Sequence, residues 1–255
     1  MKRIKTHFMA ALLMAGAVLA ACSSEENIAV SNIQPEVTTG QYTLTVRASK
    51  GSDAAQARAL GLDGTGALNA TWTTGDEVDV YNASSTKLGT LTATVDATDA
   101  KKCTFSGSLT TVPAVGDELT LKFNSPNYTT QDGTLATIAT TCDYATASVT
   151  VSAVDAGAKT ISASDASFQN QQAIVKFTLK DKGNSDAAIS ATKLTVGYGA
   201  STITVTPTLA ASELYVAIPG FTNQTVTLTA LVGPHTYTYE KTEVTLTAGE
   251  YYTIG

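Results

Sequence analysis

Apolar and polar residues alternate with a period of two along most of this chain. Tyr42, Leu44 and Val46 alternate with Thr43, Thr45 and Arg47, the pattern of a strand with one buried face. Val78/Val80, Leu91/Ala93/Val95, Leu119/Leu121/Phe123 and Val149/Val151 repeat it, each fenced by Gly, Asp, Asn or Pro. Asp155-Ala156-Gly157-Ala158 predicts a hairpin turn before Ile161. A second series begins at Ala173/Val175/Phe177/Leu179. It continues through Leu194/Val196, Ile203/Val205, Leu214/Val216/Ile218, Val226/Leu228, Tyr237/Tyr239 and Val244/Leu246. No long stretch shows the i, i+3, i+4, i+7 spacing of an amphipathic helix. A strand-and-turn beat of about 8–12 residues predicts an all-β protein built as two consecutive antiparallel β-sandwiches. The expected division is an N-terminal sandwich over 59–166 and a C-terminal one over 167–255.

The N-terminus departs from this pattern. Lys2, Arg3 and Lys5 precede an unbroken apolar run from Phe8 to Ala21. That run is too short to span a bilayer, which takes about 20 residues, and has the form of a secretory signal. It ends in Leu19-Ala20-Ala21-Cys22, which looks like a bacterial lipobox, so residues 1–21 read as a lipoprotein signal peptide. Small residues there suit a signal peptidase, and the Cys22 thiol is the nucleophile that takes diacylglycerol. Acyl chains on Cys22 would anchor the protein to a membrane without a spanning helix. The polar run from Ser23 to Asn27 suits a tether, and residues 22–58 read as tether plus first strand.

Composition narrows the function classes. The chain has 255 residues, of which only 15% are charged, against about 25% in ordinary soluble domains. Thr supplies roughly one residue in six, which favours strands over surface helices. The signal segment carries three of the 16 basic residues and no acid, so the remainder bears 22 acids against 13 bases, a net charge of −9. Nucleic acid is an unsuitable partner for such a chain, since phosphate binding needs clustered Lys and Arg. With only His7 and His235 and three cysteines, no metal or cofactor site is expected.

Candidate chemistry is sparse, and no catalytic residue is assigned. Gly75-Asp76-Glu77-Val78 and Gly116-Asp117-Glu118-Leu119 rhyme. Each is either a turn closing onto a strand or, with Asp79, half of a carboxylate pair or calcium site. The turn reading is preferred. His235 follows Pro234 in a turn, and a single mature histidine cannot assemble a triad. Cys103 and Cys142 are either a disulfide across the first sandwich or two separated buried thiols. Trp72 reads as a core plug in preference to a sugar-stacking platform.

Arginine is distributed unevenly. Beyond the signal segment only Arg47 and Arg58 occur, with none in the last 197 residues. Arg47 lies within a strand pattern, where pairing protects it. Arg58 lies in a loop of small residues, the kind of site proteases enter. An arginine-specific protease cutting between Arg58 and Ala59 would release the lipidated segment together with the strand of Tyr42, Leu44 and Val46.

These features together resemble a family. The lipobox, the early strand YTLTVRAS, the loop AQARALGLDG and the stretch NATWTTGDEVDVYN (W-x-x-G-D-E-V-x-V-Y-N over Trp72–Asn82) are similar to those of fimbrillins. So are NQQAIVKFTLKD and the ending TEVTLTAGEYYTI. Fimbrillins are the subunits of type V pili of Gram-negative anaerobes. The resemblance implies two transthyretin-like sandwiches, export as a lipoprotein to the outer membrane and cell surface, and cleavage at the position matching Arg58. It further implies head-to-tail polymerisation with other pilin subunits by strand exchange. The donor strand would be C-terminal, which points to Val244, Leu246, Tyr252 and Ile254. The chain stops at Gly255 with no evident appendage, so stalk, tip and accessory positions all stay open. Two other readings stand beside this one: a monomeric surface lipoprotein that binds glycan or protein, and a carboxylate hydrolase using Asp76 or Asp117.

Overall fold

A computed structural model of the chain describes residues 41–50, 61–62, 68–69 and 71–255, all within one compact unit, Thr38–Gly255. The expected lipidation site Cys22 and the expected cleavage site Arg58 and Ala59 lie outside the described residues. The described part is almost entirely β, as the alternation requires.

The first half forms one large sheet, beside a short pairing of Gly61–Leu62 with Leu68–Asn69. Its strands are β1 (Tyr42–Lys50), β2 (Glu77–Tyr81), β3 (Lys87–Val95), β4 (Lys102–Leu109) and β5 (Glu118–Phe123). After an excursion described below come β7 (Ala145–Asp155), β8 (Thr160–Ala163) and β9 (Ala166–Asn170). Pairing runs β1-β4-β3-β2-β5-β7, all antiparallel. From β7 it passes to β8 and β9, which pair in turn with β1 in parallel. The sheet therefore closes on itself. The expected first sandwich is a ring, and β1 joins its two ends, antiparallel to β4 on one edge and parallel to β8 and β9 on the other. Inside lie Tyr42, Leu44 and Val46, with Leu91, Phe105, Leu121, Val149 and Phe168. Where β3 and β4 cross, the backbones approach so closely that a Cβ on Gly89 or Gly107 would collide with carbonyl oxygens of the facing strand. Both positions thus demand glycine.

The second half holds two facing sheets around a separate core, with a short hairpin, Lys180–Asp181 paired to Ala187–Ala188, beside them. One contains β13 (Glu213–Pro219), β10 (Gln172–Thr178) and β16 (Tyr251–Ile254), in that order. The other runs β15 (His235–Leu246), β14 (Phe221–Val232), β11 (Lys193–Tyr198), β12 (Ser201–Val205) and β6 (Thr130–Gln131). Val175, Phe177, Leu194, Val196, Ile203 and Val216 pack between them.

The excursion from the first half begins after Phe123. β6 leaves the ring and adds in parallel to β12. A short helix, α1 (Leu135–Thr141), follows, capped by the Thr134 hydroxyl accepting from the Thr137 N–H at 3.2 Å. Ile138 on α1 packs with Cys142, Ile174 and Ala217. The chain then returns to the ring at Ala145. The two halves are therefore interleaved: residues 128–142 pack on the second half, and the change of sheet after the ring falls at Gln171, since β9 still pairs with β7 and β1. The expected division at 166/167 coincides with the start of that last ring strand.

Candidate functional site: the first strand and the groove it fills

β1 is the densest meeting of sequence signal and structure. Its register against β4 runs without interruption from Tyr42↔Leu109 to Ser49↔Lys102. On its other edge Thr43–Thr45 pair with Thr160–Ser162, and Ala48–Lys50 with Ala166–Phe168. Tyr42, Leu44, Val46 and Ala48 point inward and are buried; Leu44 and Val46 have no exposed surface. Arg47 points outward, with its backbone held opposite Thr104. Full burial of a large apolar side chain contributes about 1.5–3 kcal/mol. Tyr42, Leu44 and Val46 together therefore contribute of the order of 5–9 kcal/mol, an upper figure for a collapsed unfolded reference. Taking β1 away would expose that surface and leave β4 on one side, and β8 and β9 on the other, with unpaired backbone groups.

The floor under β1 is aromatic and buried. Trp72, 3% exposed, sits edge-on to Phe105 (5.0 Å between centroids), Phe168 (5.1 Å) and Phe123 (5.8 Å). Its ring is inside the first core, so it offers no surface platform for a sugar. Phe105 faces Val46 across the β1–β4 ladder, so the aromatic cluster forms part of the floor that β1 covers.

The rhyming acidic tetrapeptides occupy equivalent turns. Gly75 and Gly116 both adopt positive φ, +94° and +93°. Asp76 Oδ2 accepts from the Thr73 N–H at 2.6 Å, and Asp117 Oδ2 from the Ala114 N–H at 2.9 Å. Each aspartate's backbone carbonyl then accepts from a neighbouring strand, at Ala93 and at Val151. These carboxylates brace turns at the mouths of β2 and β5. Asp79 forms a surface pair with Lys87 at 2.7 Å and accepts from Thr90 at 2.9 Å. Slight burial works to raise its carboxyl, but those contacts outweigh it and hold the group below its ordinary value.

Cys103 and Cys142 are separate buried thiols. Cys103 lies opposite Ala48 in the ring, whereas Cys142 packs beside α1 in a different cluster, so the disulfide alternative gives way to the other. Burial raises the Cys142 thiol above its ordinary value, against a smaller opposing contribution from the Thr141 hydroxyl. Of the donor candidates, Val244 and Tyr252 are half-buried, Leu246 is buried and Ile254 is partly exposed, and all of them lie on the second half. β16 pairs in parallel with β10 from Ile174↔Tyr251 to Phe177↔Ile254. His235 opens β15 after the Gly233-Pro234 turn and is exposed.

One polar cluster escaped the sequence reading. The Gln131 side chain donates to the Ala217 carbonyl at 2.8 Å and accepts from the Ala217 N–H at 2.8 Å, as a strand residue would. Gln172 accepts from the Tyr144 N–H at 3.2 Å and donates to Asp143 at 3.4 Å. These amides satisfy backbone where the excursion meets the second half, and no local pattern in the sequence marks them.

Comparison with known proteins adds little to this geometry. No family model matches the chain, and no curated protein matches it. Among solved structures it is similar to one described as "a putative cell adhesion protein" from Bacteroides uniformis. That similarity has 15% identity and a TM-score of 0.38, over 84% of this chain and 92% of the other. A second, described in the same words and from Parabacteroides distasonis, has 10% identity and a TM-score of 0.41, over 83% and 88%. Similarities this distant carry no argument about what this chain does.

Proposed function

We propose that the chain is a fimbrillin-like structural subunit of a cell-surface fimbria that supports adhesion and has no catalytic activity. It is exported as a lipoprotein through Cys22, cut after Arg58 by an arginine-specific protease, and polymerised by strand exchange. The observation that supports this most directly is the position of β1, a buried strand that closes a ring and lies just ahead of the Arg58 loop. Cutting after Arg58 severs β1 from the rest of the ring. What remains is an apolar slot with two open ladders, a state that invites β-augmentation.

A replacement strand must present apolar groups where Leu44, Val46 and Ala48 stood. The segment Val244-Thr245-Leu246-Thr247-Ala248 has the same order of apolar, Thr, apolar, polar and Ala as Leu44-Thr45-Val46-Arg47-Ala48. Supplied by a neighbouring copy, it fills the slot, and each added subunit presents the next one. Such an interface is head-to-tail and grows a filament.

The test is to treat the lipoprotein with an arginine-specific protease and examine the product by N-terminal sequencing and electron microscopy. The reading predicts a fragment beginning at Ala59 that forms filaments, and an Arg58→Gln chain that stays monomeric. A correctly cut fragment that remains monomeric contradicts it.

A further inference from the structure

The second half has an open flank. β15 is the outer strand of its sheet, and β16 is the outer strand of the sheet facing it. Between them lies a cavity of about 430 Å³ with Phe177, Leu194, Leu228 and Ala230 on its walls. Tyr239 and Ile254 also line it, yet they are 45% and 40% exposed. Side chains directed into a sandwich normally lose their water; among the described residues only the 180–189 segment reaches over this flank, with Lys182 Nζ 5.8 Å from the centre of the Tyr239 ring, and it leaves both side chains partly in water.

The backbone on the same flank is also available. The Leu231 carbonyl accepts from the Thr192 N–H, so residue 231 turns its polar groups toward β11. Residues 230 and 232 therefore face β15, and their partners Tyr237 and His235 face back. By the alternation of an antiparallel ladder, Thr236, Thr238 and Glu240 direct their N–H and C=O groups outward. Edge strands are usually blunted by charge, proline or a bulge. β15 has a bulge, but only further along: its register with β14 shifts between Gln224 and Val226, and Glu243 there has φ +58°. From His235 to Lys241 the edge is straight.

We infer that this flank is a self-association surface, on which the β15 strands of two copies pair antiparallel about a two-fold axis through Thr238. In that register Thr238 faces Thr238, and Thr236 faces Glu240, whose carboxylate accepts from the threonine hydroxyl. Tyr237 of one copy lies beside Tyr239 of the other, an aromatic cross-strand pair. The pairing uses every outward residue ahead of the bulge. A shift that centred the axis on Glu240 would set two carboxylates face to face and is disfavoured. A two-fold perpendicular to the sheet keeps both inner faces on one side. The open flanks then meet, and each copy's tyrosines and Ile254 cover the other's cavity. One occupant thus satisfies the unpaired edge and the exposed inner face together. The contact is isologous and uses β15 only ahead of its bulge, whereas the donor segment proposed above, Val244–Ala248, lies beyond it, so the contact links filaments or monomers side by side.

The test places a thiol on the axis. Directly opposed residues of a hydrogen-bonded pair have Cα atoms about 5.5 Å apart, within disulfide range. In the full chain carrying Cys22→Ser, Thr238→Cys should become predominantly a covalent dimer under mild oxidation. Ser201→Cys, exposed on β12, should remain at the level of the parent chain. Thr238→Pro removes only an outward N–H, which an edge strand tolerates. It should melt near the parent temperature while losing the concentration-dependent rise in mass seen by sedimentation. Cross-linking of Thr238→Cys no greater than that of Ser201→Cys overturns the inference, whether or not Thr238→Pro folds.

Discussion

At the scale of single residues, buried polar side chains that stand in for backbone have the most to lose. Gln131 satisfies both polar groups of Ala217, a residue with no exposed surface. Leaving a buried donor or acceptor unmatched costs about 1–3 kcal/mol each. Gln131→Ala should therefore destabilise the protein by about 2–4 kcal/mol in urea denaturation, with hydrogen exchange accelerated at Ala217. Gln131→Met fills the same space but offers neither donor nor acceptor, so a Met variant as stable as the parent would show that the bidentate contact is not the source.

Asp132 acts nearby as the anchor of α1, accepting from the Thr134 N–H and hydroxyl and from the Thr137 hydroxyl. Burial works to raise its carboxyl, but those hydrogen bonds outweigh it and hold the group below the usual carboxylate value. A carboxyl with a depressed folded value contributes stability above its unfolded value, near pH 4, and loses it as pH falls through the folded one. Stability of the parent chain should therefore fall more steeply below about pH 4 than that of Asp132→Asn. Parallel acid-denaturation curves would remove Asp132 from the account.

At the scale of elements, β1 decides the behaviour of the first half. Leu44→Asp places a charge in an apolar site and should destabilise the ring by more than about 3 kcal/mol. A more specific consequence concerns where an arginine-specific protease cuts. In the parent chain Arg47 lies on a strand paired along both edges, so cleavage should stop at Arg58. In Leu44→Asp a second fragment beginning at Ala48 should appear. N-terminal sequencing of the digest distinguishes the two patterns, and cutting at Arg47 in the parent would mean that β1 opens on its own.

The strands themselves were legible because each buries one face, and alternation records that directly. Tyr42, Leu44 and Val46 are an example: their spacing gave a strand and its buried side. What the spacing does not record is which strands become neighbours. The closure of the ring depends on β1 pairing with β8 and β9, more than a hundred residues away, and such pairing leaves no local trace. The excursion was hidden for a related reason. α1 is one short Ala/Thr helix with a single fully buried apolar residue, Ile138, and β6 is only two residues long. Neither is long enough to establish a period. The paired glycine-aspartate turns were readable, since positive φ and an Asx contact both demand those residue types locally.

At the scale of the whole molecule, the two halves have different relations to their surroundings. The first is sealed, with its apolar interior enclosed by a ring that one strand completes. Among the described residues, the second leaves Tyr239 and Ile254 partly exposed along the flank between β15 and β16. On the proposed reading, such a chain has one slot that appears only after cleavage and one surface that is present from the start. Under that reading linear growth and lateral contact would be governed separately, and a variant that blocks one should leave the other intact. Thr238→Pro should still yield filaments after cleavage at Arg58, but single ones. Bundled filaments from that variant would place the lateral contact elsewhere.

The central claim is that β1 can leave its slot and be replaced there. The most direct measurement is the melting temperature of the protease-cut protein, taken with and without a synthetic peptide spanning Tyr42–Ser49. The account predicts that cutting lowers the melting temperature of the first half once β1 dissociates. The peptide should restore it and suppress filament growth, and a peptide carrying Leu44→Asp and Val46→Asp should do neither. A cut protein that melts like the intact chain and is indifferent to the peptide would contradict the account.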